Sequence, residues 1–194
     1  MRTNRIIILI LAFLAGFLGF EPLLGAQTAE EHFYRGNDLG RQGLYEDAIE
    51  EYKRSLKLNP SATVVYYNLG LACKKLGRHL EAAAALEEAL RLEPQYLPAQ
   101  VAMGSVYNLM ERWEDAIAHL NVAVHRETGN AEAHGNLGWA YYNYKGKPPF
   151  KFLTIVNLKK AADLFEAQGL PQAAQATRKV LEEALVKYGF VSKN

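Results

Sequence analysis

A repeat of 34 residues is the feature that most constrains the fold of this chain. Small residues and prolines recur at that interval in three series: Gly36, Gly70, Gly104 and Gly138; Ala48, Ala82 and Ala116; and Pro60 and Pro94. Periods of this length are typical of arrays in which one supersecondary unit is stacked on the next. The sequence therefore predicts a stack of similar units, each packed on its neighbours.

The recurring residues indicate a helix-turn-helix in each unit. A glycine inside a helix costs about 1 kcal/mol relative to alanine, so its regular return predicts a close approach of a neighbouring helix. The partners predicted to face these glycines are Tyr52, Leu86 and Leu120. Proline cannot continue a helix, so Pro60 and Pro94 follow the end of a second helix. Gly43 and Gly77 fit left-handed caps after the first helix.

This pattern resembles the tetratricopeptide-repeat (TPR) family, whose units are helix-turn-helix pairs of 34 residues. The resemblance is strong over residues 29–144 and weaker beyond. It implies an all-α fold, a right-handed superhelical solenoid with a C-terminal capping helix. The units are predicted at residues 29–62, 63–96 and 97–130, with an atypical fourth unit at 131–168.

The C-terminal part departs from the repeat and leaves two interpretations open. Pro148 and Pro149 interrupt the fourth unit, and proline can begin a helix but not continue one. One interpretation is a longer helix over about residues 149–168, fused across the unit boundary, and then a capping helix within 169–194. The other is a degenerate fifth repeat from residue 155, with the second helix of the fourth unit mostly lost. An apolar stripe from Ala173 to Leu185 suits a cap in either case.

Residues 1–26 have the pattern of a targeting segment. Arg2 and Arg5 precede an uncharged run of 15 residues at 6–20, and the segment ends in small residues, the last of which is Ala26. This predicts a secretory signal peptide cleaved after Ala26. The alternative is an uncleaved membrane anchor through residues 6–20, although a spanning helix needs about 20 apolar residues. Either interpretation predicts that the rest of the chain is exported, to a periplasmic or other extracytoplasmic place.

Composition narrows the function classes. The chain has 22 basic and 21 acidic residues, and residues 27–194 carry 20 of each, so a nucleic-acid-binding surface is not predicted. Cys73 is the only cysteine, which excludes an intrachain disulfide. The five histidines do not have metal-site spacing, and no phosphate loop or nucleophile elbow occurs. We therefore predict a protein without enzymatic activity, cofactor or metal.

The TPR resemblance also implies a concave groove lined by the first helix of each unit. The groove residues carried over by register are Phe33, Asn37 and Arg41; Tyr67, Leu71, Lys74 and Lys75; Val101 and Asn108; and Trp139, Tyr142 and Asn143. Large aromatic side chains are frequent binding hot spots, but those at helical spacing also pack between helices. Both roles stay open for the aromatic members of this set.

The implied function is a protein-protein interaction scaffold or assembly factor outside the cytoplasm, with a peptide or partner protein in the groove. The alternative is a structural subunit of a membrane complex, anchored by an uncleaved N-terminal helix. TPR proteins of the carboxylate-clamp type hold chaperone tails through basic residues. Phe33, Pro98 and Ala102 stand at three of those positions, so this chain is not predicted to be a clamp.

Overall fold

The computed structural model describes residues 27–147 and 149–192, which form nine α-helices and no strand. In chain order these are α1 Ala29–Arg41, α2 Tyr45–Leu58, α3 Thr63–Lys75, α4 His79–Leu92, α5 Leu97–Leu109, α6 Trp113–Arg126, α7 Ala131–Asn143, α8 Lys151–Ala167 and α9 Pro171–Lys187. Helices α1 to α8 pack in consecutive pairs. Each first helix also contacts the first helix of the next pair. The predicted all-α solenoid is confirmed.

Close packing within each pair depends on the recurring glycines. The same contact joins Gly36 to Tyr52, Gly70 to Leu86 and Gly104 to Leu120. A Cβ atom added at Gly70 would lie only 2.7 Å from Cγ of Leu86 and 3.2 Å from the carbonyl oxygen of Ala82. Any side chain at these positions would push the two helices apart, so the helix-propensity cost of glycine is offset by packing.

The turns after the first helices use left-handed backbone conformations. Gly43 and Gly77 have φ of 80° and 73°, as the sequence predicts. Glu111 holds the corresponding position in the third pair and has φ of 56°. A side chain in this conformation costs roughly 1 kcal/mol or more, so the third turn keeps the same shape at a small energetic cost.

A fourth pair is formed by α7 and α8. Gly138 faces Leu158, and an added Cβ would lie 2.7 Å from Cγ of Leu158. This partner follows its glycine by 20 residues rather than 16, because the connection before α8 is longer. Thr154 is fully buried where the earlier pairs have alanine, and its hydroxyl donates to the carbonyl of Phe150. The second helix of this pair is therefore present, while the numbering of repeats beyond it stays a prediction.

Helix α9 packs mainly against α8 and closes that end of the array. Ala174 and Ala184 are fully buried in this contact. Ala176, which the predicted apolar stripe includes, is instead exposed. The buried face of α9 is thus rotated slightly from the sequence prediction.

No helix among the described residues combines the length and apolar character needed to span a membrane. Residues 1–26, for which a signal peptide or an anchor is predicted, lie outside the described part of the chain.

Candidate ligand-binding groove

The face made by the first helices carries two neighbouring cavities. The first cavity, of 380 Å³, lies between the C-terminal halves of α1 and α3. It includes four of the predicted residues: Asn37, Arg41, Leu71 and Lys75. The central cavity, of 360 Å³, lies between α3 and α5 and is lined by Tyr67, Leu71, Lys74, Lys75, Val101 and Glu132, among others. Leu71 and Lys75 line both cavities, so the two form a continuous groove.

Apolar and charged side chains both line the central cavity, and the charged ones are Lys74, Lys75, Glu127 and Glu132. The ring of Tyr67 packs edge-on against Tyr96, with 5.5 Å between ring centroids. Burial raises the pKa of the Tyr67 phenol, so this side chain stays neutral near pH 7 and offers an aromatic face. Val101 on α5 is buried and forms part of the opposite wall.

Lys74 brings a positive charge into the central cavity. Its side chain is half-buried, and its ammonium group donates to the hydroxyl of Ser105 at 3.2 Å. No carboxylate of the described residues lies within 4.0 Å of it. Burial lowers the pKa of Lys74, and the charge of Glu132 acts in the opposite direction. An ammonium has three donors, so a ligand carboxylate would relieve the desolvation of this one.

An asparagine pair shapes the first cavity. The hydroxyl of Tyr52 and the side-chain amide of Asn68 both donate to Oδ1 of Asn37, each at 2.8 Å. These two bonds fix the Asn37 side chain and keep its NH2 group as the donor for another molecule. Asn68 was missed by sequence reasoning, although a polar residue in the mainly apolar helix α3 is a usable signal. Arg41 at the rim pairs with Asp38.

Phe33 lies away from these cavities. It lines a separate cavity of 400 Å³ near the start of α1 and α3. Its ring packs against those of Tyr34 and Tyr52, with centroids 5.5 and 6.4 Å away. The structure does not bring Phe33 together with Lys74. Among the predicted groove residues of the first pair of helices, Phe33 therefore has the least geometric support for a role in the groove.

Asn108 is buried rather than presented to the groove. Its Nδ2 donates to the carbonyl oxygen of Asn136 at 2.9 Å, which links α5 to α7. Only 8% of Asn108 is exposed, and its Oδ1 is buried without a hydrogen-bond partner among the described residues. The geometry therefore favours a role in packing neighbouring first helices.

The predicted residues of α7 are grouped under α9. Trp139 remains 40% exposed and lines a cavity of 230 Å³ that Phe165 and Val180 also line. The Lys187 ammonium lies 3.9 Å from the centroid of the Tyr142 ring, so α9 covers much of Tyr142. Asn143 donates from Nδ2 to the carbonyl of Trp139. These three residues form a region distinct from the central cavity.

Three histidines take part in pairs that join the two helices of a unit. The pairs are His32 with Glu51, His119 with Gln100 and His134 with Asn157, at 2.6, 2.7 and 2.8 Å. Burial lowers the pKa of His119, which keeps this ring neutral. Within residues 27–147 and 149–192, no three His, Cys, Asp or Glu side chains are gathered as a metal site would require.

Paired helices stacked into an array, with a groove on the face of the first helices, define the class of helical-repeat solenoids. Two family models described as tetratricopeptide repeat match residues 35–96 and 75–137. Together these matches extend over more than half of the chain. The chain belongs to the tetratricopeptide-repeat family.

Similar proteins agree with this assignment. MamA from Desulfovibrio magneticus RS-1 is 20% identical with a TM-score of 0.65, and the match covers 80% of this chain and 94% of that one. The second TPR domain of human RPAP3, solved with an HSP70 peptide, is 25% identical with a TM-score of 0.56, covering 58% and 93%. A DnaJ homolog subfamily C member 7 homolog of Schizosaccharomyces pombe is 30% identical over 101 residues, which are 50% of this chain and 21% of that protein.

The chain spans about a fifth of the length of the first curated relatives that it matches. The similarity therefore concerns the repeat array itself.

Proposed function

We propose that this protein is a non-catalytic interaction scaffold that binds a peptide segment of a partner protein in the central cavity. The observation that carries the proposal is the half-buried Lys74 side chain, whose ammonium has no carboxylate partner among the described residues and which lines the same cavity as Tyr67, Leu71 and Val101. The complex of the human RPAP3 domain with an HSP70 peptide supports the same use of a TPR array.

The cavity fits a particular kind of ligand. Tyr67, Leu71 and Val101 offer apolar contact for one side chain, and Lys74 with Lys75 offers positive charge within the same cavity. In the adjoining first cavity, the NH2 group of Asn37 suits a backbone carbonyl. We infer that the ligand presents an apolar side chain next to an Asp, a Glu or a C-terminal carboxylate.

The proposed carboxylate contact differs from that of clamp-type TPR proteins. Phe33, Pro98 and Ala102 replace three of their basic residues. Recognition here depends instead on Lys74, whose position on α3 faces Ser105 on α5. The peptides of RPAP3 are therefore not assigned to this chain.

Replacing Lys74 with glutamine is expected to weaken peptide binding about tenfold or more. The probe is a dodecamer selected from a random phage-displayed library on the purified full chain. Loss of a charge-assisted hydrogen bond costs roughly 1.5–3 kcal/mol, which corresponds to that factor or more. Titration calorimetry of the synthetic dodecamer gives the dissociation constants.

The matched control for this experiment is Lys57→Gln. Lys57 is exposed at the end of α2 and does not line either cavity of the groove, so its loss should leave the affinity unchanged. Equal affinities of the wild type and Lys74→Gln for every selected peptide would contradict the proposed site.

We further propose that the protein works outside the cytoplasm, on the strength of the charge and hydropathy pattern of residues 1–26. The intact mass of the protein from its native host tests this. A mass that begins at Gln27 is expected. A mass that retains Met1 or Arg2 would contradict cleavage and favour the alternative, a subunit anchored in a membrane complex through residues 6–20.

A further inference from the structure

A second surface, separate from the groove, combines exposed apolar and basic side chains. We name it the C-terminal patch and define it as Lys151, Phe152, Val156, Lys160 and Phe190. Phe152 is 72% exposed, Val156 61% and Phe190 46%. The rings of Phe152 and Phe190 pack edge-on, with centroids 5.6 Å apart, so the start of α8 and the segment after α9 form one continuous surface. A contiguous exposed apolar surface is a mark of interaction sites.

Basic residues predominate in the sequence that contains the α8 part of this patch. Residues 133–162 contain five lysines and no aspartate or glutamate. Lys159 pairs with Asp163, whereas neither Lys151 nor Lys160 has a carboxylate within 4.0 Å among the residues described. Phe152, Val156 and Lys160 follow one another at intervals of four residues and therefore share one face of α8.

We propose that the C-terminal patch docks on an anionic lipid surface. Phe152, Val156 and Phe190 would enter the boundary between headgroups and acyl chains, and Lys151 and Lys160 would contact the lipid phosphates. A helix that presents apolar and aromatic side chains flanked by lysines is typical of interfacial attachment. Basic residues beside a membrane gain from the negative potential of acidic lipids.

The shape of the patch favours lipid over an acidic protein segment. None of the five cavities described for this structure is lined by Phe152, Val156 or Phe190. The apolar side chains of the patch are exposed. Lys151 and Lys160, which have no carboxylate partner among the described residues, lie at the two ends of its α8 part. A fluid layer of anionic headgroups meets all of these groups at once, whereas a protein partner must provide a matching pocket for each aromatic anchor.

Docking through this patch would leave the groove accessible. The patch lies on α8 and on the segment after α9, whereas the central cavity is lined mainly by α3 and α5. The inference does not depend on residues 1–26, on their cleavage or on the proposed peptide function. A peptide that binds the groove and a vesicle that binds the patch are therefore separate experiments.

The test is amide hydrogen exchange of the full chain with two kinds of vesicle. One is phosphatidylcholine alone, and the other contains about one third phosphatidylglycerol. Residues 151–154 begin α8 and residues 189–191 follow the end of α9. Helix ends open locally at low free-energy cost, so the amides of these residues report contact sensitively. We expect the anionic vesicles to slow exchange there at lipid concentrations at which phosphatidylcholine alone does not, because each basic residue at such a surface strengthens attachment about fivefold.

Two variants and one control decide the result. Phe152→Ser and the double variant Lys151→Gln/Lys160→Gln should each remove the slowing, and because these side chains are exposed the fold should be retained. The control variant Lys57→Gln/Lys179→Gln removes two exposed lysines elsewhere and should retain the slowing of exchange. Exchange at the patch that is the same with both vesicles, or slowing that survives in the patch variants, would overturn the proposal. Protection confined to residues 1–26 would overturn it as well.

Discussion

Gly104→Val is expected to destabilise the chain by about 3 kcal/mol, since an overpacked core site costs that order of free energy. An added Cβ at Gly104 would come within 3.0 Å of three side-chain atoms of Leu120. Leu120 is fully buried, so it has little room to move. Leu120→Ala alone should also cost about 3 kcal/mol, because it leaves a cavity.

The double variant Gly104→Val/Leu120→Ala distinguishes a specific contact from general loss of packing. Valine plus alanine contain as many side-chain carbons as glycine plus leucine, so the pair conserves volume across the interface. We expect the two costs to be less than additive by about 2 kcal/mol. Urea unfolding followed by circular dichroism measures the free energy of unfolding.

A matched control is available in the loop before α7. Gly129→Val meets no atom within 4 Å and should leave stability nearly unchanged. Strictly additive costs in the double variant would contradict the assignment of Gly104 and Leu120 as the paired contact of the third unit.

Glu51→Ala is the second large effect, with an expected cost of about 3 kcal/mol for breaking a buried ionic group. Glu51 is 4% exposed. It lies 2.6 Å from Nδ1 of His32 on α1, and also pairs with Arg54 at 2.7 Å and Arg35 at 3.8 Å. Removal leaves His32 without its partner and weakens the contact of α1 with α2.

The contribution of Glu51 to the stability of the fold depends on pH, because charged groups and a hydrogen bond act on its carboxyl group. Burial by itself raises the pKa of Glu51, but the hydrogen bond with His32 and the charges of Arg35 and Arg54 lower it overall. A carboxyl group with a depressed pKa stabilises the fold above its ordinary value of 4.5. That contribution is lost as the pH falls through the lower, folded-state value. The difference in stability between the wild type and Glu51→Ala should therefore shrink in acid.

The second unit provides a control for this prediction. It has Tyr66 and Ala85 where the first unit has His32 and Glu51. The double variant His32→Tyr/Glu51→Ala places the residues of the second unit in the first unit. It should recover most of the stability that is lost in Glu51→Ala. Because solenoid units contact only their neighbours, hydrogen exchange should locate the effect of Glu51→Ala in α1 and α2. Equal loss in the single and double variants would contradict this account of the pair.

The periodic glycines predicted the helix pairs because their spacing reflects a backbone contact that tolerates no side chain. The fourth pair was harder to predict because Leu158 follows Gly138 four residues later than the period requires. An insertion in the connection moves every later position out of register, although the contact itself is unchanged. The turn at Glu111 was similarly hard to predict, because a glycine holds the corresponding position in the first two pairs.

The groove was predicted best where one helix provides several residues. Tyr67, Leu71 and Lys74 recur at helical spacing on α3 and line one cavity. The contacts of Asn68 and Asn108 depend on how neighbouring first helices are rotated against each other. The sequence pattern of one helix does not contain that information. Tyr142 is covered by Lys187, a contact between residues far apart in the chain that the repeat does not encode.

Differential acetylation of lysines tests the central claim, ligand binding in the groove, most directly. The full chain is acetylated briefly with and without a saturating amount of the selected dodecamer, and each lysine is quantified by mass spectrometry. The account predicts that the peptide slows acetylation of Lys74 and Lys75, while Lys53 and Lys57 on α2 react as before. Protection that is absent at Lys74 and Lys75, or equal at all four lysines, would contradict binding in the groove.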